Sequence, residues 1–209
     1  MERHAGRQTA GAAAGSLNAV RLPMADAEVL FFEQFFTLEE SDVILAELER
    51  EIVWKQESIR VPGKSVPLPR LTAWYGDPGK TYRWSGITQR PLPWTQTLLA
   101  IRQRVEAPAQ MVFNSVLLNL YRNEQDSVSW HSDDEPELAP VIASVSFGAA
   151  RPFQFKRIDN PKTRLSVDLT HGSLLIMRGA TQQYWRHRIP KTTLPQPPRV
   201  NLTFRVIQG

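Results

Sequence analysis

Residues Arg199 to Val206 read RVNLTFRV, and the stretch alternates without a break, with Val200, Leu202, Phe204 and Val206 set against Arg199, Asn201, Thr203 and Arg205. Side chains of a strand point to opposite faces with period two, so the stretch predicts a strand with one apolar face and one face carrying two arginines. Two readings of that second face stand open. It is the wet side of an antiparallel sheet, the usual meaning of clean alternation, or it sets two guanidinium groups to hold the ends of a small diacid. The planar fork of arginine suits the second task, because it pairs a carboxylate through two charge-assisted hydrogen bonds.

The segments upstream share this character. SVLLNLYRN, VIASVSFG, PFQFKRI, RLSVDLT and SLLIMRG are short, rich in β-branched and aromatic residues, and separated by turn signals, a pattern that predicts a β-sandwich or jelly roll. Before them, TLEESDVILAELEREI predicts a helix capped by Thr37 with Glu40 three residues on, its stripe formed by Val43, Ile44, Leu48 and Ile52. TQTLLAIRQRVEA predicts a second helix that ends before Pro108. Between them, Val61 to Pro93 is broken by Pro and Gly with aromatics interspersed, which reads as loops and short hairpins. The expected fold is α+β and mainly β: helices first, then a sandwich. Residues 1–25, rich in Ala and Gly, read as a flexible tail, and 26–209 as one domain.

The chain has 209 residues and no cysteine, so disulfides, zinc–thiolate sites and thiol nucleophiles are excluded and any metal needs His, Asp or Glu. No apolar run approaches the roughly 20 residues that span a bilayer, and the N-terminal stretch lacks the apolar core of a signal peptide. The expected protein is soluble and cytoplasmic, without a membrane partner. A net charge of +4 hints at an anionic partner such as nucleic acid.

In WHSDDE, His131 and Asp133 are two positions apart, so an extended backbone points both the same way and lets them grip one ion. His187, in YWRHRIPK, is the candidate second histidine, although on position alone it also reads as an ordinary surface or hydrogen-bonded histidine. Two histidines and a carboxylate make the facial triad of non-haem Fe(II) oxygenases, which leaves positions open for a cosubstrate and dioxygen.

The order His131-Ser-Asp133, His187, then Arg199-x-Asn201-x-x-x-Arg205 resembles the AlkB family of Fe(II)- and 2-oxoglutarate-dependent nucleic-acid dioxygenases. The likeness runs from about Pro69 to Gly209 through PRLTAWYG, TYRWSG, NSVLLNLYRNEQDSVSWHSDDEPELAP, IASVSFGA, HGSLLIM and PRVNLTFR, and is closest to the single-strand-preferring animal branch. It implies a double-stranded β-helix over about 111–209, a nucleotide-recognition lid over about 54–93, and supporting N-terminal helices. It also implies Fe(II) on His131, Asp133 and His187, with 2-oxoglutarate and O2 as cosubstrates. Arg199 with Tyr121 would clamp the far carboxylate, and Arg205 with Asn119 the end that chelates iron, with Asn201 between the arginines. The implied reaction is demethylation of N-alkylated bases such as 1-methyladenine or 3-methylcytosine by a monomer, releasing formaldehyde, succinate and CO2.

For the substrate, the resemblance places Trp84, with Tyr82 close by, as the lid aromatic against an everted base, and Glu135 as the carboxylate that meets the base's exocyclic amine. The sequence alone also allows Trp84 as ordinary core and Glu135 as a solvated loop acid. Two departures point to single-stranded DNA, with RNA possible. The finger reads Val61-Pro62-Gly63 where the duplex-active relative has a central Phe, and RIPKTTLPQPPR after His187 has no triple basic loop. A related dioxygenase acting on RNA or protein, and a non-catalytic nucleic-acid-binding jelly roll, are the alternative readings.

Overall fold

The structure is a computed structural model that describes residues 18–61, 63–80, 82–84 and 87–208, with the backbone alone for 60–61, 82–84 and 87–89. In chain order its elements are β1 (Val20–Arg21), β2 (Glu28–Phe32), α1 (Leu38–Glu51), β3 (Ser58–Val61), β4 (Lys64–Pro67), β5 (Leu71–Gly76), β6 (Tyr82–Trp84), β7 (Ile87–Gln89) and α2 (Gln96–Ala109). The remainder is β8 (Ser115–Tyr121), β9 (Val128–His131), β10 (Ile142–Gly148), β11 (Arg151–Arg157), β12 (Arg164–Leu169), β13 (Ser173–Arg178), α3 (Thr181–Tyr184), β14 (Trp185–Ile189) and β15 (Arg199–Arg205).

A seven-stranded sheet of order β1-β2-β13-β10-β15-β8-β5 lies over a four-stranded sheet of order β12-β11-β14-β9, and the pairings within them are antiparallel. Both faces of the large sheet are covered. On one, Val116, Leu118, Val145, Val200, Leu202 and Phe204 pack with Leu48 of α1 and Leu98, Ile101 and Val105 of α2. On the other, Ile142, Leu175 and Met177 meet Phe153, Phe155, Trp185 and Ile189 of the small sheet. The expected α+β jelly roll is therefore what the chain forms, and β15 is central to it. Neither face of RVNLTFRV is wet: Arg199, Asn201 and Thr203 are buried between the sheets. Alternation here separates a dry core from an interior polar site.

Helix α1 starts as expected, with Thr37 Oγ1 accepting from Glu40 N–H and Glu40 accepting from Thr37 N–H. Its inner face differs by one position. Val43 is 59% exposed, while Leu48 is buried and Ile44 and Leu45 are packed against the core. Helix α2 runs through Pro108 to Ala109 and closes at Gln110 in the left-handed conformation. Proline so near the end disturbs only the last turn. Within the stretch read from composition as a tail, Val20 and Arg21 pair in β1 and Leu22 and Met24 are buried, and residues 1–17 lie outside the described ones. The stretch 54–93 holds the hairpins β3–β4 and β6–β7 but also β5, an edge strand of the large sheet.

Candidate active site

Strands β9 and β14 pair with His131 opposite His187, and the register shifts just beyond, so both imidazoles project into the space between the sheets. The rings meet edge to face, their centroids 4.2 Å apart. His187 is buried and stacked on Phe153 at 5.0 Å. Asp133 follows β9 in a loop, where its N–H donates to Gln182 Oε1 of α3 at 3.0 Å. One ligand atom from each of His131, Asp133 and His187 lies within 4.8 Å of the others. The Ser129 carbonyl can only accept, so the 2.8 Å contact to His131 Nδ1 puts the proton there and leaves Nε2 for a metal.

Electrostatics prepares this cluster for a cation. Burial would raise Asp133, but Arg205, His187 and His131 overcome it and hold the carboxyl down to about 2. Burial pushes His187 down to about 3, with His131 adding to the effect and Asp133 opposing it. At neutral pH the site presents a carboxylate and a neutral imidazole, the forms that bind metal. Two histidines and one carboxylate on one side suit Fe(II) with open positions.

Behind the cluster, a cavity is lined by Asn119, Tyr121, Arg199, Asn201 and Arg205 beside the triad. Arg199 Nη2 donates to Ser146 Oγ at 2.8 Å, while its Nε and Nη1 are buried without a hydrogen-bond partner. Unpaired donors on a buried cation are costly, and a carboxylate of 2-oxoglutarate would satisfy one of them. The Tyr121 ring lies over this guanidinium at 5.0 Å. The residues present thus fit the cosubstrate.

Three placements refine the sequence expectations. Arg205 donates to Asp133 Oδ2 at 2.7 Å, while Asn119 Oδ1 accepts from Arg70 Nε at 2.7 Å. Asn201 bonds inside the large sheet, to Ser144, the Val145 carbonyl and Thr203. Arg70, Gln182 and Arg151 were not singled out from sequence; Arg70 lies within the PRLTAWYG motif, whereas nothing local marks Gln182 or Arg151 as neighbours of this site.

A second cavity of about 340 Å³ opens in front of the triad, walled by Trp74, Leu117, Trp130 and half-buried Glu135. The side chains of Tyr82 and Trp84 lie outside the described residues; their backbones form the β6–β7 hairpin. Trp130 carries Lys156 Nζ at 4.4 Å and Arg188 at 4.5 Å over its ring. With exposed Arg186, these put a basic, aromatic face on the small sheet beside the cavity mouth.

A family model described as the 2OG-Fe(II) oxygenase superfamily matches residues 28–205. The chain is 45% identical over 196 residues to alpha-ketoglutarate-dependent dioxygenase alkB homolog 3 of Mus musculus, covering 88% of this chain and 68% of that one. It is 44% identical over 180 residues to DNA oxidative demethylase ALKBH2 of Homo sapiens, covering 80% and 69%. Among solved structures, "The structure of OsALKBH1" superposes with a TM-score of 0.66 at 17% identity, over 90% of this chain and 100% of that one, a likeness of fold.

Proposed function

The chain belongs to the 2OG-Fe(II) oxygenase superfamily, within its AlkB family, and from that premise we propose that this Fe(II)- and 2-oxoglutarate-dependent dioxygenase removes alkyl groups from N-alkylated bases in DNA. The observation that carries the reading is the pair of cavities meeting at one triad, one with unpaired Arg199 donors and the other walled by tryptophan and open to the surface. His131, Asp133 and His187 would hold the iron. Arg199 and Tyr121 would take the distal carboxylate of 2-oxoglutarate, with Asn119 and Arg205 toward the chelating end and Asn201 bracing the strand between. Bound iron with 2-oxoglutarate and O2 supplies oxidation of the N-methyl carbon, coupled to release of succinate and CO2.

The residues of this chain supply position. Leu117 and Trp130 would wall the space around the reacting carbon, and Glu135 lines the cavity where the exocyclic amine of an everted base would lie. Trp84, with Tyr82 near it, would cover that base from the lid at about 54–93, over a catalytic core of about 111–209. A base must leave its stack to reach such a centre, and an aromatic platform offsets part of the cost. The basic face around Trp130 suits a phosphate backbone. Pro62 in the finger and the absence of a triple basic segment after His187 favour single-stranded DNA, with RNA as a second substrate. The chain would act as a monomer in the cytoplasm; among the described residues no helix is long and apolar enough to cross a membrane.

The test is formaldehyde and succinate release from a 1-methyladenine oligonucleotide, single-stranded and duplex, DNA and RNA. Succinate coupled to formaldehyde on single-stranded DNA is the expected result. Turnover unaffected by any methylated oligonucleotide would refute the substrate.

A further inference from the structure

Arg151, the first residue of β11, is 1% exposed, yet among the described residues no carboxylate hydrogen-bonds its guanidinium. It donates to backbone carbonyls, those of Asn123 at 3.2 Å, Asp126 at 3.1 Å and Pro190 at 2.6 Å, and its Nε is buried without a hydrogen-bond partner. The neighbouring carboxylate of Asp126 is bonded to Arg122 by both oxygens. The Tyr121 ring lies 5.9 Å from the Arg151 guanidinium carbon and 5.0 Å from that of Arg199. Two buried cations therefore share one tyrosine ring: burial depresses Arg199 and the Arg151 charge adds to this while Tyr121 opposes it, and burial depresses Arg151 against the pull of Tyr121, Asp126 and Glu124. Carbonyl staples need no charge. An uncharged amide side chain would serve these carbonyls without a second positive charge beside Arg199, a charge that gains its use when an anion completes the cluster.

We propose that Arg151 is a positioning residue for 2-oxoglutarate, supplying a second buried positive charge behind Tyr121 that strengthens the hold of Arg199 on the distal carboxylate. This rests on the reading that Arg199 takes that carboxylate. Arg151 never touches the cosubstrate. Its effect is on affinity and not on the reacting carbon.

Three substitutions separate charge from stapling. Arg151→Gln keeps donors for the carbonyls and loses the charge, Arg151→Lys keeps the charge and loses the fork, and Arg151→Met loses both. Each is titrated calorimetrically with 2-oxoglutarate as the anaerobic Fe(II)-loaded protein, alongside its Fe(II) affinity and the KM and kcat of cosubstrate use. The expected result is about tenfold weaker 2-oxoglutarate binding in Arg151→Gln and Arg151→Met, as for loss of one charge at close range in a partly screened interior. Arg151→Lys stays near the wild type, and Fe(II) affinity and kcat at saturation are unchanged. If Arg151→Met fails to fold, the Gln and Lys pair carries the same contrast. Equal weakening in Gln and Lys, a parallel fall in Fe(II) affinity, or no change in any variant would overturn the proposal. Arg199→Gln is the control: if it leaves 2-oxoglutarate affinity intact, the underlying assignment of Arg199 fails instead.

Discussion

Arg205 Nη2 lies 2.7 Å from Asp133 Oδ2, so the last arginine of the RVNLTFRV strand is bonded to the carboxylate of the metal cluster. Both side chains are about one-tenth exposed or less. The pair joins the Arg199 cavity to the cluster of His131, Asp133 and His187, and it sets what either residue can lose.

Removing Arg205 strips the dominant attractive charge from Asp133 and leaves a buried carboxylate without it. Arg205→Ala should cost about 3 to 5 kcal/mol of stability, as for breaking a buried pair from one side. Urea unfolding of the metal-free protein measures it. Arg205→Lys should recover stability better than turnover, because one ammonium can neutralise Asp133 but cannot also present a bidentate fork. Equal recovery of both would show that the fork has no part.

Acid sensitivity follows from His187. Its folded-state value, about 3, is below the ordinary 6.5, so the unfolded chain binds the proton first. Its contribution is full above about pH 6.5 and is lost as pH falls toward 3, by at most about 1.4 kcal/mol per pH unit. Asp133, also depressed, loses its contribution only below about pH 4. Unfolding of the metal-free protein at pH 7.5, 6 and 5 should therefore decline more steeply in the wild type than in His187→Asn. Parallel lines for the two proteins would contradict the depressed His187.

The basic face makes a prediction about salt. Single-stranded binding weakens with a slope of about −0.7 in log K against log salt for each phosphate that the protein neutralises. Replacing Lys156 and Arg186 with Gln should make the slope for a methylated single-stranded oligonucleotide shallower by about one to one and a half. Fluorescence anisotropy at several salt concentrations measures this, and the wild-type slope in the variant would place the strand elsewhere.

Trp84 has a separate signature. If it stacks on the everted base, Trp84→Ala should lose roughly 1 to 3 kcal/mol in kcat/KM for the oligonucleotide, with Trp84→Phe recovering much of it. Decarboxylation of 2-oxoglutarate without substrate should persist. A large fall in melting temperature with parallel loss of both activities would instead identify a packing residue.

The strands β8, β10, β11, β12, β13 and β15, the helices α1 and α2, the capping box and the polar face of β15 were legible in the sequence because each rests on local rules of periodicity, capping and turn chemistry, whereas β5, β9 and β14 were not named as strands. The order His131, Asp133, His187, Arg199, Arg205 was legible as a motif. Whether that polar face was wet was not. Alternation reports only that two faces differ, and only the small sheet lying over β15 made its second face an interior. The helix stripe erred at Val43 for a like reason, since the angle at which α1 lies on the sheet is set by its neighbours and not by its own spacing. The pairing of Arg205 with Asp133, of Arg70 with Asn119, and of two buried guanidinium groups around Tyr121 joins residues far apart in the chain and held on separate elements, and no local rule carries that information. The sequence by itself determined the order of the candidate ligands and arginines; the packing of two sheets decided which groups touch and brought in Arg70, Gln182 and Arg151, because contact between distant residues is a property of the closed fold alone.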